Sequence, residues 1–98
     1  MPKVLVSDSI DQNGINILSQ VAQVDIKIGL PVEELVKIIP EYDALMIRSG
    51  TKVTKEIIEA ADKLKIIGRA GVGVDNVDVQ AATRKGIVVV NSPEGNTI

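Results

Sequence analysis

Ile66-Ile67-Gly68-Arg69-Ala70-Gly71-Val72-Gly73-Val74-Asp75-Asn76-Val77-Asp78 carries a short apolar run into a glycine-rich turn and then into acids and an amide that suit the start of a helix. Ile66-Ile67 reads as a buried strand. The glycines behind it permit backbone conformations and close approaches that a side chain would block. Asp75 or Asn76 can begin the next helix, in which Ala81 and Ala82 are small packing residues and Gly86 stands where a left-handed C-terminal cap belongs. Ile87 to Val90 is again apolar. Strand, turn, helix and strand in succession is the repeating unit of a parallel sheet.

The same alternation extends upstream. Ala44-Leu45-Met46-Ile47 is a strand that stops at Arg48-Ser49-Gly50, and Thr54 caps a helix with Glu56 in its first turn and Ile57, Ile58 and Ala61 facing inward. Val4-Leu5-Val6 is a buried strand closed by Ser7-Asp8-Ser9. Asp11 can cap a helix bearing Ile15, Leu18 and Val21, weakened at Gly14 by about 1 kcal/mol relative to alanine. From Val24 to Ile28 apolar and charged residues alternate, as in an edge strand with one wet face. Pro31 opens a helix whose inward residues are Leu35, Val36, Ile38 and Ile39, until Pro40 stops it. Five strands alternating with helices predict an α/β, flavodoxin-like five-stranded parallel sheet of order 2-1-3-4-5, with helices on both faces. The tail from Asn91 to Ile98 is polar and turn-rich, so the final helix is expected to be missing, one face left partly bare, and the chain to self-associate as a homo-oligomer.

Composition narrows the chemistry. With 45% hydrophobic residues, 98 residues can build one core without disulfides or metal, and with Tyr42 as the one aromatic residue that core must be aliphatic. Eleven basic against thirteen acidic residues give a net charge of −2, which offers no long-range attraction to nucleic acid or an anionic membrane. The absence of cysteine and histidine removes thiol nucleophiles, thiolate or imidazole metal sites and the commonest general base near neutral pH. No apolar run reaches the length of a signal peptide or a membrane span, and a cytoplasmic protein is expected.

Ligands of an open parallel α/β sheet gather at the carboxyl ends of its strands. The residues there are Ser7-Asp8, Arg48-Ser49, Arg69 to Gly73, and Asn91 to Asn96. Arg48 and Arg69 end adjacent strands and offer forked donors suited to a phosphate or carboxylate, although a strand-end arginine can equally extend into solvent. Gly71-Val72-Gly73 can present peptide N–H groups to an anion, or can simply be a tight turn. It does not complete a dinucleotide fingerprint, because Asn76 stands where the third glycine belongs and Asn91 where an acid belongs. Asp75 and Asp78 are read as stabilising a helix start. Ser92 and Asn96 fit turn chemistry as well as a site.

The stretches Arg48-Ser49-Gly50-Thr51-Lys52-Val53-Thr54, Ile67 to Asp78, Ala81 to Ile87 and Asn91 to Thr97 resemble the start of the D-2-hydroxyacid dehydrogenase family, in its phosphoglycerate-oxidising branch. The likeness runs end to end. It implies that residues 1–98 are a substrate-binding domain segment, truncated before the nucleotide-binding domain of an enzyme that oxidises 3-phosphoglycerate to 3-phosphohydroxypyruvate with NAD, the first step of serine biosynthesis. By the resemblance, backbone N–H groups around Val72 and Gly73 hold the substrate carboxylate, and Arg48 and Arg69, with Ser49 beside them, approach the carboxylate or phosphate. Asn96 would lie near the nicotinamide. The family's nucleotide turn and catalytic residues map onto no position here, so NAD is expected to be bound mainly by the absent domain and the chain alone to be inactive. Two other readings are a different member of the family, such as a hydroxypyruvate or glyoxylate reductase, and a non-catalytic flavodoxin-like binding module.

Overall fold

A computed structural model describes residues 1–70 and 75–92 of the chain. Five strands form one parallel sheet in the order β2-β1-β3-β4-β5, with β1 at Lys3–Val6, β2 at Gln23–Ile26, β3 at Ala44–Ile47, β4 at Ile66–Ala70 and β5 at Val88–Ser92. The sheet is the predicted one, strand order included. Between the strands run α1 (Gln12–Ser19), α2 (Val32–Ile38), α3 (Lys55–Ala60) and α4 (Val79–Lys85).

Side-chain alternation along the strands divides the interior in two. Leu5, Leu45, Ile47 and Ile67 point to one face, where they pack with Leu35, Ile39, Ile57, Ile58, Ala81 and Ala82 from the α2–α3–α4 layer. The residues of opposite parity, Val4, Val6, Ala44 and Met46, meet Ile10 and Leu18 on the face covered by α1. The first cluster is much the larger, so most of the apolar stabilisation resides on the three-helix side.

The ends of α3 and α4 follow local chemistry, whereas Asp11 at the start of α1 makes no side-chain cap bond. Thr54 Oγ1 accepts the Ile57 N–H at 3.4 Å at the start of α3, and Gly86, with φ +85°, closes α4 in the left-handed region. Pro40 does more than stop α2. It lies in the first turn of a short 3₁₀ segment, Ile39–Glu41, where its missing N–H leaves no bond unmade.

Three expectations are corrected. The fourth strand does not stop at Ile67 but continues through Gly68, Arg69 and Ala70, paired with β3 and β5. A Cβ at Gly68 would stand 2.9 Å from Cε and Sδ of Met46 on the neighbouring strand, so the flexible end of that side chain would have to shift. The helix after the glycine-rich turn starts neither at Asp75 nor at Asn76, since Asp78 is its cap, accepting the Ala81 N–H at 3.0 Å. β2 ends at Ile26, so Ile28 lies beyond it, and of the expected apolar face Val24 packs on the core while Ile26 is 48% exposed; Asp25 of the opposite parity accepts a hydrogen bond from Tyr42.

Candidate functional site

The carboxyl ends of β1, β3 and β4 deliver three polar segments to one rim of the sheet. The segment after β3 is held from both sides. Asp8, just beyond β1, accepts the backbone N–H groups of Arg48 at 2.8 Å and Thr51 at 2.9 Å on a single oxygen, Oδ2. The loop folds so closely over this carboxylate that a Cβ at Gly50 would lie 2.7 Å from Asp8 Oδ1. From the other side Asn76 Nδ2 donates to the carbonyl oxygens of Arg48 at 2.7 Å and Thr51 at 2.6 Å. Ser7 Oγ and Thr51 Oγ1 share a further hydrogen bond at 2.8 Å.

Val53 extends the clamp. Its N–H donates to the Asn76 carbonyl at 2.9 Å and its carbonyl accepts the Asp78 N–H at 3.0 Å, a one-residue parallel bridge centred on Val77. Residues 48–53 and 76–78 therefore form one hydrogen-bonded wall. Because backbone groups removed from water must be paired, the pairing leaves this wall little conformational freedom.

An open cleft of about 600 Å³ lies against the wall. Among the described residues its charged lining comprises Lys52, Lys55 and Arg69 with Asp75 and Asp78, three cations against two carboxylates. The Arg69 side chain is only 10% exposed, and its Nη2 lies 3.8 Å from Oδ1 of the exposed Asp75. A guanidinium with so little access to water requires counter-charge, and Asp75 stands at ion-pair distance from it.

Ser49 and Arg69 share this cleft, as the strand-end argument expects, whereas Arg48 is not among its lining residues. Register explains the separation. Ile47 pairs with Arg69, so Arg69 projects on the three-helix face; Arg48, one residue further along, has the parity of Met46 and starts from the α1 side. Its Nη1 donates to the Ser9 carbonyl at 3.4 Å. Val72, Gly73 and Asn96 lie outside the described residues.

Asp8, Thr51 and Asn76 were not expected as the frame of the site. An acid and a hydroxyl just past two adjacent buried strands were the available signal, but the double use of one Asn amide has no signature in sequence. Asp75, expected at a helix start, instead faces Arg69.

A nicotinamide dinucleotide does not fit the described residues. The start of α4, the helix that follows the glycine-rich turn, already carries the Asp78 carboxylate on the Ala81 N–H, where a pyrophosphate would meet like charge. Among the described residues no group of three or more acids is disposed to hold a metal ion, and no helix is long and apolar enough to cross a membrane.

Residues 4–98 match the family described as D-isomer specific 2-hydroxyacid dehydrogenase, catalytic domain. All 98 residues align at 74% identity with the D-3-phosphoglycerate dehydrogenase of Synechocystis sp., of which they span 18%, and 97 residues align at 52% identity with the human protein of the same name, again spanning 18% of it. Among solved structures, a Pyrococcus horikoshii protein superposes with a TM-score of 0.90 at 34% identity, over 94% of this chain and 28% of the other. An NAD+-bound 3-phosphoglycerate dehydrogenase of Entamoeba histolytica superposes at 0.84 with 33% identity, over 94% and 33%. With nearly its whole length matched by the family and its fold shared with solved relatives, the chain belongs to the D-isomer specific 2-hydroxyacid dehydrogenases.

Proposed function

We propose that the chain is the substrate-binding part of an NAD-dependent D-3-phosphoglycerate dehydrogenase, which oxidises 3-phosphoglycerate to 3-phosphohydroxypyruvate at the start of serine biosynthesis. The observation that carries this reading is the cationic cleft at the carboxyl end of the sheet, where nearly buried Arg69 stands beside Ser49 and Lys52 on a rigid wall. A small molecule with a carboxylate at one end and a phosphate at the other matches such a cleft better than a neutral or singly charged acid. The peptide groups of Val72 and Gly73 would take the carboxylate, with Arg69 and Ser49 beside them. Arg48 would act from the neighbouring rim, and Asn96 would lie toward the nicotinamide.

In this reading the chain binds and orients, and hydride transfer needs groups from elsewhere in the parent enzyme. A nicotinamide cofactor accepts the hydride when bound, mainly by a domain outside these 98 residues. The histidine-free sequence lacks the side chain that most often serves as a general base near neutral pH. A cytosolic setting and self-association belong to the same proposal.

Amide-shift titration of the 98-residue chain with 3-phosphoglycerate, then NAD, tests it. The first ligand should move signals around Ser49, Lys52, Arg69 and Asp75, the second should move few, and no turnover should accompany them. A flat response to 3-phosphoglycerate, or stronger shifts with D-glycerate, would overturn the assignment of substrate.

A further inference from the structure

We infer that Lys52 is a specificity-determining residue of the cleft, selecting a substrate that carries a phosphate over its unphosphorylated counterpart. The inference rests on the functional reading above and goes beyond it by assigning the phosphate preference to a residue with no arginine's fork.

Three observations converge. First, the cleft has three cations, and two are already engaged: Lys55 lies 4.0 Å from Glu59, one turn along α3, and Arg69 lies 3.8 Å from Asp75. Lys52, exposed in the cleft lining, has no ion pair or side-chain hydrogen bond among the described residues. Second, its backbone is fixed on both sides. Thr51 is bonded through its N–H to Asp8, through its carbonyl to Asn76 and through its hydroxyl to Ser7, and Val53, 1% exposed, is bonded through both backbone groups to residues 76 and 78. An ammonium on a flexible stem loses less freedom on binding when its anchor is already immobile.

Third, parity separates the two arginines. Arg48 leaves the sheet on the α1 side, with Nη1 directed to the Ser9 carbonyl, so the cation that shares the cleft with Arg69 and is uncommitted is Lys52. A lysine suits this role because a point charge with three rotatable donors accommodates a tetrahedral dianion without demanding a fixed approach.

The test is a pair of affinities, for 3-phosphoglycerate and for D-glycerate, measured by amide shifts on wild type, Lys52→Gln, Lys52→Arg and Lys63→Gln. Lys63 precedes β4 at the opposite end of the sheet and controls for the loss of one charge. Lys52→Gln should weaken 3-phosphoglycerate binding about three- to tenfold, as expected for a solvent-accessible charge-assisted contact. Glycerate binding should be unchanged, Lys52→Arg should recover most of the loss, and Lys63→Gln should behave as wild type.

Equal affinity of wild type and Lys52→Gln for 3-phosphoglycerate would sink the inference while leaving the substrate reading intact. A parallel loss for both ligands would also sink it, since the residue would then serve the carboxylate or the loop. Failure of the wild type itself to bind 3-phosphoglycerate would remove the substrate reading and this inference together.

Discussion

Tyr42, the one aromatic residue, has its ring buried at the amino end of the sheet, and its hydroxyl donates to Asp25 Oδ2 at 2.6 Å, tying edge strand β2 to the segment before β3. Burial pushes the phenol up to about 12, with the Asp25 bond adding to the rise, and the same bond holds the Asp25 carboxyl below its ordinary value against the opposing effect of burial. The two ends lose stability in opposite directions. For Tyr42 the folded value exceeds the unfolded value of about 10, so its contribution is complete below pH 10 and is lost as pH rises toward 12. For Asp25 the folded value lies below 3.8, so its contribution is complete above that pH and is lost as pH falls through the depressed value. Tyr42→Phe should cost about 1–2 kcal/mol in urea unfolding at pH 7. In the variant the carboxyl carbon of Asp25 should titrate closer to 3.8, and the stability gap from wild type should narrow between pH 10 and 12. An unchanged Asp25 titration would show that the bond is not formed in solution. Sequence could not supply this pair: it marks Tyr42 as an isolated aromatic and Asp25 as the wet side of an edge strand, and only the register of β2 turns the acid toward the phenol.

The loop between β3 and α3 shows how much of an element is legible and where legibility ends. The strand before it and the Thr54 cap after it follow from an apolar run and a local side-chain bond, signals carried within a few residues. The wall itself depends on Asp8 and Asn76, forty residues before and twenty-eight after Arg48, and bonds across such separations leave no periodic trace. The misplaced end of β4 has a similar origin. Gly68 resembles a turn residue locally, but its place in the strand is set by pairing with Met46 across the ladder. If Asp8 holds the loop, Asp8→Ala should raise hydrogen-exchange rates at the Arg48 and Thr51 amides by an order of magnitude or more, and lower global stability by about 1–3 kcal/mol through unpaired N–H groups. Asp8→Asn, which keeps an acceptor but not the charge, should fall between. Protection at those two amides that survives Asp8→Ala would mean the Asn76 side of the clamp suffices alone.

Across the whole molecule the two faces of the sheet are unequally covered. Among the described residues three helices shelter one face, and α1 is the helix that packs on the other, over the β1–β3 half. Ile66, Val88 and Val90, which share the parity of Met46 through the β3–β4–β5 register, are left 37%, 56% and 43% exposed. Removing such a contiguous apolar strip from water is favourable by roughly 25 cal/mol for each Å² buried, so at sufficient concentration a second copy is the available cover for the chain on its own. The prediction is therefore a concentration-dependent dimer in sedimentation velocity, accompanied by dye binding that fades as the dimer forms. Charge on the strip separates this cause from any other contact. Val88→Lys with Val90→Glu should give a monomer at all concentrations with little change in unfolding free energy, because neither side chain is buried in the monomer core. A dimer that persists in the double variant would place the contact elsewhere, with the outer strands β2 and β5 the next surfaces to examine.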